Sequence, residues 1–88
     1  MANTAQARKR VRQNIQHAER NKPFRSRAAR TLREARAAIA AGSDDAPARV
    51  REAQSALDRA ARRNIIHPNA AARSKSRLNR ALKVAQAA

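Results

Sequence analysis

Whatever chemistry this chain performs belongs to the guanidinium group. Arginine outnumbers lysine 17 to 4. A guanidinium bridges two phosphate oxygens in a fixed fork and stacks on exposed bases, so the bias suits phosphate recognition; a GC-rich coding sequence would produce the same bias. Other reactive side chains are too sparse to build a site. His17 and His67 are the only histidines, cysteine is absent, and the six acids are scattered without ligand or acid–base spacing. No metal, cofactor, small-molecule substrate or catalytic residue is therefore expected, and nothing supports an enzyme.

The positive charge is placed as well as abundant. Residues 1–41 carry eleven Lys/Arg against two acids (net +9), residues 42–67 carry five against four (net +1), and residues 68–88 carry five against none (net +5). Fourteen of the fifteen net charges thus sit in two terminal blocks. Such a layout describes two arms that grip a polyanion and a middle segment turned away from it, with nucleic acid as the expected partner.

Composition points the same way. Of 37 hydrophobic residues 24 are Ala, which leaves thirteen larger apolar side chains for an 88-residue chain, one small domain with a thin core. Leu, Ile, Val and Phe fall below the roughly 20% under which a highly charged chain is expected to be disordered, so an anionic scaffold would act as ligand and folding partner together. Without cysteine, an oxidising compartment has no support. No apolar run reads as a membrane span or a secretory signal, so no membrane association and a cytoplasmic location are expected.

The elements that must position these cations are helices. One Gly and three Pro interrupt a sequence dominated by Ala, Arg, Gln, Glu, Lys and Leu, and no strand pattern competes. Gly42 suits a left-handed helix end, Ser43-Asp44-Asp45 offers an N-cap and Pro47 is tolerated in the first turn that follows. A second break falls at Asn64-Ile65-Ile66-His67-Pro68-Asn69, where Pro68 suits the first position of a helix. The expected fold class is all-α: a three-helix bundle forming one RNA-binding domain over residues 1–88, with helices over about 4–41, 45–63 and 68–87.

Each helix has a face. Phe24, Ala28, Leu32, Ala35 and Ile39 recur at helical spacing in the first, with Arg25, Arg27, Arg30, Arg33 and Arg36 across the remaining arc. In the second, Val50, Ala53, Leu57 and Ala61 line one side, while Asp58 and Arg62 stand four apart on the other, so that this helix is expected to compensate its own charge. In the third, Ala71, Leu78, Leu82 and Ala85 face inward and Arg73, Arg77 and Arg80 outward. No acid accompanies Arg73, Lys75, Arg77, Arg80 and Lys83, so compensation is expected from outside the chain. Phe24, the sole aromatic, is expected to anchor the first two helices, and its isolation argues against sequence-specific reading of single strands.

Pro23 should kink or break the first helix. A continuous helix over residues 4–41 would reach roughly 55 Å at ~1.5 Å per residue, far beyond what the other two can cover. Its N-terminal half, with Arg8, Arg12, Gln16 and Arg20 in one row and Val11, Ile15 and Ala18 in another, must project.

The segment Ile65-Ile66-His67-Pro68-Asn69-Ala70-Ala71-Ala72-Arg73-Ser74-Lys75-Ser76-Arg77-Leu78 resembles the C-terminal signature of the family of bacterial small-subunit ribosomal protein number twenty. The opening Met1-Ala2-Asn3 with Ala7-Arg8-Lys9-Arg10, and Arg30-Thr31 ahead of Ala38-Ile39, resemble that family too. The resemblance implies a three-helix bundle with a long first helix, a structural constituent of the small ribosomal subunit that binds small-subunit ribosomal RNA early in assembly, through backbone phosphates and helix shape, and stabilises its fold. It implicates His67, Asn69, Arg73, Lys75, Ser76 and Arg77 in one block and Arg8, Lys9 and Arg10 in another; for His67 the residues themselves offer two roles, an imidazole that satisfies a helix-start amide or a phosphate or base contact. The charged rows add Arg12, Arg20, Lys22, Arg25, Arg27, Arg30, Arg33 and Arg80 as RNA contacts. Other small-subunit ribosomal proteins are possible neighbours. Three positions depart from the pattern: Pro68 stands where a lysine is usual, Asn64 where many relatives have glycine, and Pro23 where the long helix should continue.

The alternative is a histone-like protein that compacts nucleic acid without preference. Both readings demand steep salt dependence, and only the first demands a preference for ribosomal RNA. A membrane-active amphipathic helix would need a broader apolar face than Ala provides.

Overall fold

The structure, a computed structural model, describes residues 4–87 and consists of three α-helices: α1 (Ala5–Ala41), α2 (Ala46–Arg62) and α3 (Pro68–Ala87). Met1-Ala2-Asn3, part of the resemblance drawn above, lies outside the described residues. The expected bounds hold to within a residue at every end. Helix α2 runs antiparallel to α1 and α3 returns alongside; α2 packs against both, and the α1–α3 contact is thinner. The molecule measures 61 × 20 × 19 Å, an elongated shape set by the length of α1.

The turns follow from two residues in left-handed geometry. Gly42 has φ 66°; its N–H donates to the Ile39 carbonyl at 3.2 Å and that of Ser43 to the Ala38 carbonyl at 3.0 Å, which satisfies two carbonyls of the last turn of α1. Asn64 repeats the device at the end of α2 with φ 59°: its N–H reaches the Ala61 carbonyl at 3.0 Å and that of Ile65 the Ala60 carbonyl at 2.9 Å. Asparagine is among the few side chains that accept this geometry, and that accounts for its occurrence where glycine was anticipated. At the start of α1 the Thr4 hydroxyl accepts the Ala7 N–H at 3.2 Å. Asp45 makes no such cap on α2; its carboxylate instead lies 3.3 Å from Arg49 Nε.

The core forms two clusters. Next to the α2–α3 turn, Ala28, Ala56, Leu57, Ala60, Ile65 and Ala71 are buried with Phe24, Ala61 and Ile66 against them. Toward the α1–α2 turn, Ala35, Val50, Ala53 and Leu78 are buried with Leu32, Ile39 and Leu82 around them. Most members are Ala, so the helices approach closely and few large side chains are needed. The buried stripe of α2 is broader than the expected Val50, Ala53, Leu57 and Ala61, because this helix is central: Ala56 and Ala60 are fully buried, and Ala61 only half. Ala85 is exposed, not inward-facing. Thr31 is buried in α1 despite its hydroxyl, which donates to the Arg27 carbonyl at 2.8 Å and the Ala28 carbonyl at 3.2 Å. Phe24 sits against the first cluster as expected, and its outer ring face lies 4.2 Å from the Arg63 guanidinium carbon, a cation–π contact.

Pro23 does not break α1, which continues through it. Proline removes one helical N–H and crowds the carbonyl four residues back, at a cost of ~3 kcal/mol in a helix interior. Both Pro23 and Glu19, the owner of that carbonyl, are exposed, so water can satisfy the orphaned oxygen. Upstream, residues 5–22 extend about 27 Å at ~1.5 Å per residue with no core residue among them. Val11 and Ile15 are 58% and 55% exposed there. The projecting arm inferred from helix lengths is present.

Candidate nucleic-acid interface

Geometry sorts the basic residues by helix face. On the arm, Arg8, Lys9, Arg10, Arg12, Arg20 and Lys22 are all exposed, with Glu19 the one acid in that stretch. Arg25, Arg27, Arg30 and Arg33 continue the exposed series into the packed half of α1. Helix α3 begins where the arm leaves the bundle and runs parallel to α1, and from it Arg73, Ser76, Arg77 and Arg80 are exposed. Arg36 and Lys83, which the charged rows left out of the expected contacts, are exposed as well; each extends a basic row by one helical turn, and that spacing was the signal available.

Four of the six acids are drawn toward α2. Arg49 is a hub: its Nη1 lies 3.3 Å from Glu34 Oε2 and 3.8 Å from Glu52 Oε2, in addition to its Asp45 contact. Glu34 also approaches Arg30 Nε at 3.9 Å. All these groups are substantially exposed, so each pair contributes little to stability. Their consequence is distributional, since they gather negative charge on the α1–α2 side and leave the outward rows of α3 free of acid.

Lys75 corrects the sequence reading. Its Nζ donates to both oxygens of Asp58, at 3.0 and 3.1 Å, so α2 does not compensate its charge internally through Asp58 and Arg62, and one cation of α3 does have an acid partner. Gln54 Nε2 donates to Asn79 Oδ1 at 2.8 Å on the same α2–α3 seam. Among the expected contacts, Lys75 and Arg30 are thus engaged within the chain, while Arg73, Arg77 and Arg80 have no acid partner among the described residues.

At the entry to α3, His67 Nδ1 accepts the Asn69 N–H at 3.0 Å. The imidazole therefore caps the helix by accepting one of its free first-turn N–H groups, Pro68 having none that needs a partner. Acceptance at Nδ1 places the proton of the neutral ring on Nε2, a donor left for an outside acceptor. No group of three or more His, Cys, Asp or Glu capable of holding a metal exists among the described residues, and no helix among them is long and apolar enough to cross a membrane.

The family model described as Ribosomal protein S20 matches residues 2–83. The chain is 52% identical over 88 residues to the small ribosomal subunit protein bS20 of Roseiflexus sp. (strain RS-1), covering 100% of this chain and 97% of that protein. It is 50% identical over 84 residues to the protein of the same name from Nitrosomonas eutropha, covering 94% of this chain and 97% of the relative, and 49% identical over 84 residues to that of Bordetella petrii, with the same coverage.

Proposed function

The chain belongs to the ribosomal protein S20 family, and from that premise we propose that it binds small-subunit ribosomal RNA directly, through phosphate contacts, and stabilises the RNA fold during assembly. Family membership makes it a structural component of the small ribosomal subunit, not an enzyme, and places its work on the bacterial ribosome in the cytoplasm. The observation that carries direct RNA binding is the separation of charge: acids collect against α2 while Arg73, Arg77 and Arg80 on α3 and the six cations of the arm stay exposed. Like charges in rows repel unless a polyanion compensates them.

In this reading the whole chain acts as one RNA-binding unit. The arm lies along RNA backbone, the outward row of α3 grips a second stretch, and α2 braces the two. His67 Nε2, Asn69 and Ser76 add short polar contacts where α3 begins, and neighbouring small-subunit proteins can meet the α2 side. Competition at matched salt tests the proposal. Small-subunit ribosomal RNA should displace the chain from duplex DNA of equal length, with an affinity that falls by about 0.9 log units per log unit of salt for each duplex phosphate neutralised. Equal affinity for the two would support a histone-like compactor instead.

A further inference from the structure

A groove of about 250 Å³ lies between α1 and α3 at the base of the arm. Ala28 and Leu57 form its buried floor, Ala29 and Leu32 one wall, Ile66 and Ala70 the other. It exists because alanine occupies both rims, so no side chain reaches across the thin α1–α3 contact. Only two polar residues line it, Arg25 on α1 and the half-buried Ser74 on α3. No acid does, whereas the hollow between α1 and α2 holds Glu34 and Glu52 beside its arginines.

Size and charge together select the occupant. The volume is below the roughly 300–1,000 Å³ of ordinary small-molecule sites, and it suits a single planar ring system. Around it the helix surface is cationic: Arg73 and Arg77 follow Ala70 and Ser74 by three residues each, hence on neighbouring positions of α3, and Arg25 stands on the opposite rim. An apolar side chain from another protein would cover the walls and leave this charge uncompensated. A nucleotide satisfies both, with an apolar-faced ring for the walls and an anionic chain for the rims.

We propose that this groove receives one unpaired base of the bound RNA, turned out of its stack. Its ring faces lie against the aliphatic walls, its polar edge meets the Ser74 hydroxyl, and the flanking phosphates lie on Arg25 and on Arg73 or Arg77. Extrusion is least costly for a base that is already unpaired, and apolar walls suffice to hold it. The inference rests on the RNA-binding reading above and adds to it a base-sized pocket distinct from the phosphate rows.

The test fills the groove from its rim. Ala29→Phe in the full chain is expected to weaken binding to small-subunit ribosomal RNA roughly 10- to 100-fold, with the salt slope unchanged because the phosphate contacts remain. Ala37→Phe, at an exposed position outside the groove, should bind like the unsubstituted chain. Chemical probing of the RNA should find an unpaired base protected by the unsubstituted chain and reactive again with Ala29→Phe. Ala70→Leu, at the opposite rim, repeats the test should Ala29→Phe fail to fold by circular dichroism. Undiminished affinity and unchanged protections in the folded variants overturn the inference, as does a variant that keeps RNA binding but loses contact with another subunit protein. Failure of the unsubstituted chain to prefer ribosomal RNA over DNA would instead overturn the RNA reading on which the inference stands.

Discussion

Replacing Arg73, Arg77 and Arg80 together with Gln is expected to lower the affinity for small-subunit ribosomal RNA by about two orders of magnitude and to reduce the salt slope by about 2 to 3. All three are exposed on α3, and none has an acid partner among the described residues. The matched control is Arg51, Arg59 and Arg62 changed to Gln on α2. These are equally exposed, but they share the surface around Asp58 on the helix where the acids gather. Their loss should change affinity by no more than a few-fold. Titration of both triple variants across a salt series decides the matter: equal losses would show that only total charge counts, and that the division between gripping helices and bracing helix is wrong.

Leu78→Ala should produce the largest change in stability. Leu78 is 2% exposed and packs with Ala35, Val50 and Ala53, in the cluster that joins α3 to the other two helices. Truncating a buried leucine costs ~2–5 kcal/mol, a large share of the ~5–15 kcal/mol that holds a typical domain folded. For a domain of this size the midpoint of thermal unfolding should fall by more than about 10 °C. Val84→Ala on the same helix, at a position 67% exposed, should shift stability by less than about 0.5 kcal/mol. Circular dichroism melts of the two variants check this, and equal shifts would mean that α3 does not dock through Leu78.

Helix number, bounds and the projecting arm were legible because their signals are local. Gly42 and Pro68 stop and start helices through their own backbone geometry, and an α1 longer than its partners must overhang them. Asn64 shows the same logic once its positive φ is seen, since a left-handed helix end tolerates Asn nearly as well as Gly. Pairwise relations between helices were less legible. Lys75 reads as one more cation of an acid-free helix, yet it lies three residues before Leu78, about 60° away around α3. Asp58 likewise borders Leu57 on α2. Both flank apolar stripes that face each other, and their contact follows only when the two helices are docked. Burial of Thr31 is illegible for a different reason: a hydroxyl reads as a surface group until the carbonyls of Arg27 and Ala28 are seen to accept it. Of the kink or break expected at Pro23 the break does not occur: the helix continues there, and exposure lets water replace the missing partner.

The apolar groove was not legible at all. Ala29 and Ala70 read as ordinary helix formers, and only the α1–α3 spacing turns their small size into a cavity. The basic rows, by contrast, were visible residue by residue, because exposure of Arg and Lys on a small helical bundle is nearly certain. The structure adds which of them have partners within the chain.

Amide hydrogen exchange of the full chain, free and bound to small-subunit ribosomal RNA, tests most directly whether RNA holds the outer helices. Residues 5–22 contribute no buried residue to the core, and most helical stability in proteins comes from tertiary packing. In the free chain their amides should exchange rapidly while those around Leu57 and Leu78 are protected; on binding, the arm and the outward face of α3 should become slow and the outer face of α2 remain unchanged. An arm equally protected with and without RNA, or new protection centred on α2, would contradict the account.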